Sequence, residues 1–388
     1  MRMLNQMAIC FFTALIFSAA VNCLYGEQKQ NPNAEVGEIT DAVLNAMVAN
    51  RTWQGIPGLE RTSKGRLFFT WFTGGEKEPR PENIAILCYS DDDGKTHSPL
   101  QVLGPHFSDG TRAFDPVPWI DPKGRLWYFF QRNNNNTGEY GLYARICEYP
   151  DAPVPMFGPE FQIDLGTPFV FGINKPIVLS TGEWAKPVNF KRKKTDQWVE
   201  GVGISHDEGK TWKLHGAVAA PPRTIENMIV ELKDGRLWML MRTGAGYLWE
   251  SFSADKGVTW SEGKRSQIES PGSRFFIRRL SSGNLLLVNH YKFDRKDDGS
   301  GIRSHLTAQI SIDDGKTWNE GLLLDSRQKV SYPDGVEDKD GVIRIIYDHS
   351  RTGNGDILMA KFREEDVAQG KNVSGTVLLQ HVIDRLKK

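Results

Sequence analysis

Ser205-His206-Asp207-Glu208-Gly209-Lys210-Thr211-Trp212 is the stretch from which the rest of the chain becomes readable. The pattern Ser-x-Asp-x-Gly-x-Thr-Trp returns at Ser253–Trp260 and Ser311–Trp318, and at Ser90–His97 with His97 in place of the tryptophan. Its chemistry is local. Ser and Asp side chains accept backbone N–H bonds inside a tight hairpin, glycine takes a conformation closed to other residues, and tryptophan packs the turn onto its sheet. The acidic pairs Asp92-Asp93 and Asp313-Asp314 lack the ligand spacing of a calcium loop and read as turn residues.

A longer repeat encloses the octets. A turn glycine followed by an apolar or aromatic strand occurs at Gly65, Gly124, Gly182, Gly235, Gly283 and Gly341, with spacings of 59, 58, 53, 48 and 58 residues. Each follows a short apolar stretch, as Ile229-Val230-Glu231-Leu232 precedes Asp234-Gly235. That arrangement predicts a β-hairpin. Each octet follows a turn glycine by 18 to 28 residues, which predicts that it sits on the next hairpin of the same unit. Six copies of a unit of about 50–60 residues, with several short strands and no long helical pattern, predict an all-β, six-bladed propeller.

The composition fits that reading. Of 388 residues, 39% are hydrophobic and 11% aromatic, which excludes a disordered chain, and 38 Gly with 11 Trp suit many short strands and tight turns. Forty-eight basic and 48 acidic residues cancel, which argues against a nucleic-acid or anionic-membrane partner held by bulk charge. Arg2 followed by the apolar run Met7–Ala20, ending in Ser18-Ala19-Ala20, predicts a signal peptide over residues 1–25 and a secreted or periplasmic protein, with lipid anchoring at Cys23 as the lesser alternative. Next come an N-terminal segment (26–50, with a helix over Val36–Ala49), the propeller (51–365) and a C-terminal tail (366–388), with a second helix over Arg363–Gln369. No later apolar run is long enough for a membrane span. Cys88 and Cys147 leave one disulfide open. His97, His206, His215, His290 and His305 show no metal-ligand spacing, so neither metal nor cofactor is predicted.

The octets are Asp-boxes, and over about residues 50–365 the chain resembles the sialidase superfamily of six-bladed propellers. The resemblance implies an axial site with three arginines clamping a substrate carboxylate, a Tyr–Glu nucleophile pair and an acid/base carboxylate. Ile225-Glu226-Asn227-Met228 matches the segment whose glutamate activates the tyrosine, and Ser331-Tyr332-Pro333-Asp334 matches the position of the tyrosine itself. A carboxylate on the anomeric carbon would repel an Asp or Glu nucleophile, whereas a phenol deprotonated during attack arrives nearly neutral. Arg242 and Arg303 match two of the clamp arginines, whose forks bind carboxylate bidentately. The first is absent, because Gly55 stands there in Gln54-Gly55-Ile56-Pro57. Arg61, Arg80, Arg112 or Arg278 are the candidates to replace it.

Where the family carries an acid/base aspartate, this chain has Glu78, with Glu76 and Glu82 as rivals. Arg112, Asp115 and Lys175 open equivalent strands of blades two and three and are the remaining candidate substrate contacts. The expected function is exported, retaining hydrolysis of a terminal acidic sugar of a glycan, sialic acid first. The alternatives are a propeller enzyme for a uronic acid or deoxysugar, prompted by Gly55 and Glu78, or a non-catalytic carbohydrate-binding propeller.

Overall fold

Among the described residues, six antiparallel sheets, each built from strands consecutive in sequence, account for almost all regular structure. The structure is a computed structural model that describes residues 41–49, 51–296 and 301–386. The signal peptide and Cys23 fall outside the described residues, as does the start of the helix expected from Val36. Blade 1 comprises β1 (Gln54–Arg61), β2 (Leu67–Thr73), β3 (Ile84–Ser90) and β4 (Gln101–Gly104). Blade 2 comprises β5 (Thr111–Ile120), β6 (Leu126–Asn134), β7 (Glu139–Cys147) and β8 (Phe161–Gln162). In blade 3 the innermost strand is broken into β9 (Val170–Phe171) and β10 (Ile177–Val178), both pairing with β11 (Trp184–Phe190), outside which lie β12 (Val199–Ser205) and β13 (Lys213–Val218).

Blade 4 holds β14 (Ile225–Glu231), β15 (Leu237–Arg242), β16 (Tyr247–Ser253) and β17 (Lys264–Glu269). Blade 5 holds β18 (Phe276–Arg279), β19 (Leu285–His290), β20 (Leu306–Ser311) and β21 (Leu322–Asp325). Blade 6 holds β22 (Val330–Glu337), β23 (Val342–His349), β24 (Asp356–Arg363) and β25 (Leu378–Asp384). The propeller therefore extends past residue 365, and the expected tail supplies the outer strand of blade 6. Among the described residues two helices flank the ring strands, α1 (Asp41–Ala49), which packs Met47 and Val48 against the blade 1–blade 6 core, and α2 (Glu364–Gln369). The second strands of the blades are buried almost throughout, Leu67–Thr73 entirely, because each blade is covered by its two neighbours.

No strand is shared between the first and last blades, so the ring closes through side chains. Asp334 of β22 accepts Leu59 N–H at 2.9 Å, and Asp348 of β23 accepts Ile56 N–H at 2.8 Å. Farther out, Arg51 pairs with Asp384 at 2.9 Å, and Gln54 Nε2 reaches both the Gly355 carbonyl and Asp384.

The Asp-boxes join the third and fourth strands of blades 1, 3, 4 and 5, one connection later than the spacing suggested. In each, the serine Oγ accepts the glycine N–H at 2.7–2.9 Å. The aspartate accepts both the backbone N–H and the hydroxyl of the threonine. The residue before glycine shares its left-handed conformation (Asp93, Glu208, Lys256 and Asp314, φ 57–62°), so each turn strains one non-glycine residue. Cys88 and Cys147 are buried free thiols in different core clusters, and no disulfide joins them.

Candidate active site

Four innermost strands carry the same distortion. Ile56, Asp115, Glu226 and Tyr332 have φ between 48° and 60°, and each lies nine residues before its blade's turn glycine, namely Gly65, Gly124, Gly235 or Gly341. Each also sits at a break in register between the first and second strands. A β-bulge there re-aims a side chain out of the sheet's alternation, and non-glycine residues pay for this conformation with about 1–2 kcal/mol each. The surroundings hold Glu226 in place at both backbone ends. Its N–H donates to Asn189 Oδ1 at 2.8 Å, and its carbonyl accepts Asn174 Nδ2 at 3.1 Å. Behind it, buried Glu200 accepts Asn227 Nδ2 at 2.7 Å, and burial pushes the Glu200 carboxyl up to about 7.

Two of these bulges bring Tyr332 and Glu226 together. Tyr332 Oη donates to Glu226 Oε1 at 3.0 Å, while Arg242 Nη1 lies 2.7 Å from both Glu226 Oε2 and Tyr332 Oη. The phenol ring is surrounded by guanidiniums, with the central carbons of Arg351, Arg303 and Arg242 at 4.3, 5.4 and 5.7 Å from its centroid. Burial pushes the Tyr332 phenol up to about 12 against the pull of these cations. Burial also opposes ionisation of Glu226, but Arg242 and the hydrogen bonds outweigh it and hold the carboxyl below its ordinary value. The floor is apolar, built from Trp53, Ile56, Phe72, Phe114 and Ile173, which strengthens every charge interaction above it.

Arg351 was not among the residues singled out in the sequence. It follows β23, and its side chain occupies the space beside Gly55, where a Cβ would lie 2.7 Å from Arg351 Cδ. Arg351 Nε donates to Asp348 at 2.9 Å, Nη1 to Glu78 at 2.9 Å and Nη2 to Ser331 Oγ at 3.1 Å. Of the four arginines expected as substitutes, Arg61 pairs with Asp338, Arg80 is exposed beside Glu82 and Arg278 reaches the Pro176 carbonyl. Arg112 alone lies near the site. The signal for Arg351 was its place at the end of the second strand of blade 6, as Arg242 ends the second strand of blade 4. Arg242 lies seven residues after its turn glycine and Arg351 ten, so three extra residues displace it from that register.

Among the three candidate acids only Glu78 meets this cluster, since Glu76 and Glu82 are exposed. Burial raises its carboxyl, and Arg351 and Arg112 oppose the rise. Arg112 stacks on Phe114 at 3.8 Å and donates to Asn133 and Asn83, so Asn133 belongs to a buried strand end rather than to an exposed polar loop. Asp115 is buried with Oδ1 lacking a hydrogen-bond partner, and burial pushes its carboxyl well above the carboxylate range. Arg303 donates from Nη2 to the Gly272 carbonyl at 3.1 Å.

Lys175 does not join them. Its ammonium bonds the Leu59 and Gly335 carbonyls and lies 3.3 Å from both Glu60 and Asp334, so its donors serve the interior of the ring and not a ligand. Among the described residues, no group of His, Cys, Asp and Glu is placed to hold a metal ion, and no helix is long and apolar enough to cross a membrane.

Residues 65–345 match the BNR repeat-like domain family. A sialidase of Bacteroides fragilis is 30% identical over 186 residues, which cover 46% of this chain and 33% of that protein. A sialidase of Paraclostridium sordellii is 35% identical over 92 residues, covering 23% and 22% of the two chains. The matched region thus spans a third or less of either relative's length. Among solved structures, the Hadza microbial sialidase Hz136 superposes with a TM-score of 0.68 at 21% identity, over 81% of this chain and 66% of that one. The leech intramolecular trans-sialidase superposes with a TM-score of 0.63 at 15% identity, over 83% and 70%. Both likenesses are of fold.

Proposed function

The protein belongs to the BNR repeat-like family of sialidase-like propellers, and from that premise we propose that it is a retaining glycoside hydrolase that removes a terminal acidic sugar, sialic acid first, from glycans. One observation carries the reading, the triangle in which Arg242 Nη1 touches both Tyr332 Oη and Glu226 while Tyr332 Oη donates to Glu226. A structural tyrosine needs one hydrogen-bond partner. Its packing requires neither a carboxylate base nor three guanidiniums around its ring.

In this reading Arg242, Arg303 and Arg351 hold the substrate carboxylate. Three of the five N–H donors of Arg351 are committed, which leaves one hydrogen each on Nη1 and Nη2 for the ligand. Tyr332 Oη attacks the anomeric carbon as its proton passes to Glu226. With the phenol near 12 and Glu226 held low, a transfer completed beforehand is strongly uphill, so transfer and attack proceed together. The bond to the leaving oxygen breaks as Glu78 protonates that oxygen. Glu78 then removes a proton from the water that releases the sugar from Tyr332, and Glu226 returns the phenol proton. Arg112 and Asp115 face the sugar's polar substituents, Asp115 as a neutral hydrogen-bond donor. Export rests on the apolar N-terminal run.

A second reading, a uronic acid or deoxysugar as substrate, draws on the entry of the third arginine from blade 6 and on a glutamate in the acid position. Fluorogenic α-sialosides, uronides and deoxysugar glycosides offered side by side to wild type and Tyr332→Phe test both readings. Sialoside turnover that falls at least about 10³-fold in Tyr332→Phe is expected. Turnover of another class with the same dependence selects the second reading, and activity indifferent to Tyr332→Phe defeats both.

A further inference from the structure

The third arginine does two things at once. Arg351 stands where a clamp for a carboxylate is needed, and the same guanidinium donates to Glu78, the acid that must hold a proton when the glycosidic bond breaks. We propose that Arg351 couples the arrival of the substrate carboxylate to protonation of Glu78, so that binding itself arms the acid. The inference rests on the hydrolase reading above and deepens it.

In the unliganded site the pair favours ionised Glu78, because an adjacent cation stabilises the charged form. A substrate carboxylate adds a negative charge beside Glu78 and, by accepting the free Nη1 and Nη2 hydrogens of Arg351, shares the guanidinium charge that Glu78 otherwise has. Both effects favour taking up one proton from solvent. That proton then goes to the leaving oxygen in the first half-reaction, and the second half-reaction restores it from water, so the cycle balances.

The groups facing Glu78 agree with this assignment. From blades 2, 4 and 6 these are Arg112, Asp115, Glu226, Asp348 and Arg351. On its own loop, Glu76, Lys77, Arg80 and Glu82 are exposed, and Arg80 is drawn toward Glu82 at 3.5 Å. Among the described residues Arg351 is the one cation hydrogen-bonded to Glu78, and its other hydrogen bonds, to Asp348 and Ser331, fix it on blade 6. A clamp arginine at position 55 would enter from blade 1. Here Gly55 clears that space, so the clamp reaches the ligand alongside the acid.

Linkage makes the idea measurable, since binding that raises a pKa must take up protons, and protonation must in turn tighten binding. Titration calorimetry with the unsaturated 2,3-didehydro analogue of sialic acid, in buffers of different ionisation enthalpy, counts those protons. Wild type is expected to take up a fraction approaching about one proton per ligand above the pKa of Glu78, with affinity rising up to about tenfold per pH unit on acidification. Glu78→Gln should bind without this uptake, and Arg351→Met should bind more weakly with less uptake. In turnover, the alkaline limb of kcat should lie at higher pH than that of kcat/KM. Binding with equal uptake in wild type and Glu78→Gln, or with none in wild type, overturns the coupling alone. No binding of this ligand overturns the sialic acid reading together with it.

Discussion

Adding a single methyl group at Gly55 tests how the site replaces its missing arginine. Gly55 has an ordinary backbone conformation, so alanine introduces no backbone strain, but its Cβ would lie 2.7, 2.8 and 2.9 Å from Arg351 Cδ, Nε and Cγ. Ordinary contact begins near 3.4 Å, so the side chain must retreat by about 0.7 Å. A free arginine would do so at little cost. Arg351 is held at three points, 2.9 Å from Asp348, 2.9 Å from Glu78 and 3.1 Å from Ser331, and such a shift breaks at least one of them and moves the fork off the ligand.

Losing one charge-assisted hydrogen bond to the substrate carboxylate costs about 2 kcal/mol, which corresponds to roughly a 30-fold rise in KM or in Kd for the carboxylate inhibitor. The fold should survive, because Asp348 keeps Ile56 N–H and Ser331 as partners. The assay is steady-state kinetics on whichever glycoside proves active, run as a cycle with Arg351→Met. If Arg351 transmits the effect, Gly55→Ala is nearly silent in the Arg351→Met background. An unchanged KM in Gly55→Ala, or an equal penalty in both backgrounds, refutes the claim that Arg351 stands in for the missing clamp.

Asp334 offers a stability counterpart. It joins Leu59 N–H to the buried Lys175 and Arg274, so Asp334→Ala leaves two buried cations short of a partner and should cost about 3 kcal/mol, visible as a lower denaturant midpoint. Asp334→Asn, which keeps an acceptor for Leu59 but not the charge, should lose nearly as much, and a small loss in Asp334→Asn beside a large one in Asp334→Ala would contradict the charge argument. The Asp-boxes predict an acid limb of stability. Hydrogen bonds from Thr96, Thr259 and Thr317 hold Asp92, Asp255 and Asp313 down at about 2. The folded state therefore binds those protons more weakly than the unfolded chain. The stabilisation is complete above the ordinary carboxylate value near 4 and is lost as pH falls toward about 2. Melting temperature followed across that window should drop less steeply in Asp255→Asn than in wild type, and parallel curves would exclude the box as the cause.

Much of the fold was legible because its signals are local. The serine–glycine and aspartate–threonine bonds of an Asp-box span four residues, so residue type and spacing encode them without help from the rest of the chain. The nine-residue interval from bulge to turn glycine is equally local, and it would have placed Asp115 beside Glu226 and Tyr332 as a bulged inner-strand residue. Other assignments failed where the partner was distant. Lys175 looked like a substrate contact because it opens the right part of blade 3, yet Leu59 and Gly335 claim its ammonium. The expected tail became β25 because β24 offered an unpaired edge, and an exposed row of backbone donors and acceptors is a template for another strand.

By itself, the sequence determined the repeat, the blade number, the turns and the residues able to form a Tyr–Glu pair, since each depends on chemistry within one hairpin. Tertiary structure alone decided which charges share the axis. Tyr332 and Glu226 are 106 residues apart, and Arg351 and Glu78 are 273 apart. The first pair joins blades 4 and 6, and the second forms because the ring closes and brings the first and last blades side by side. No local pattern records that an arginine from blade 6 fills the space left by a glycine in blade 1.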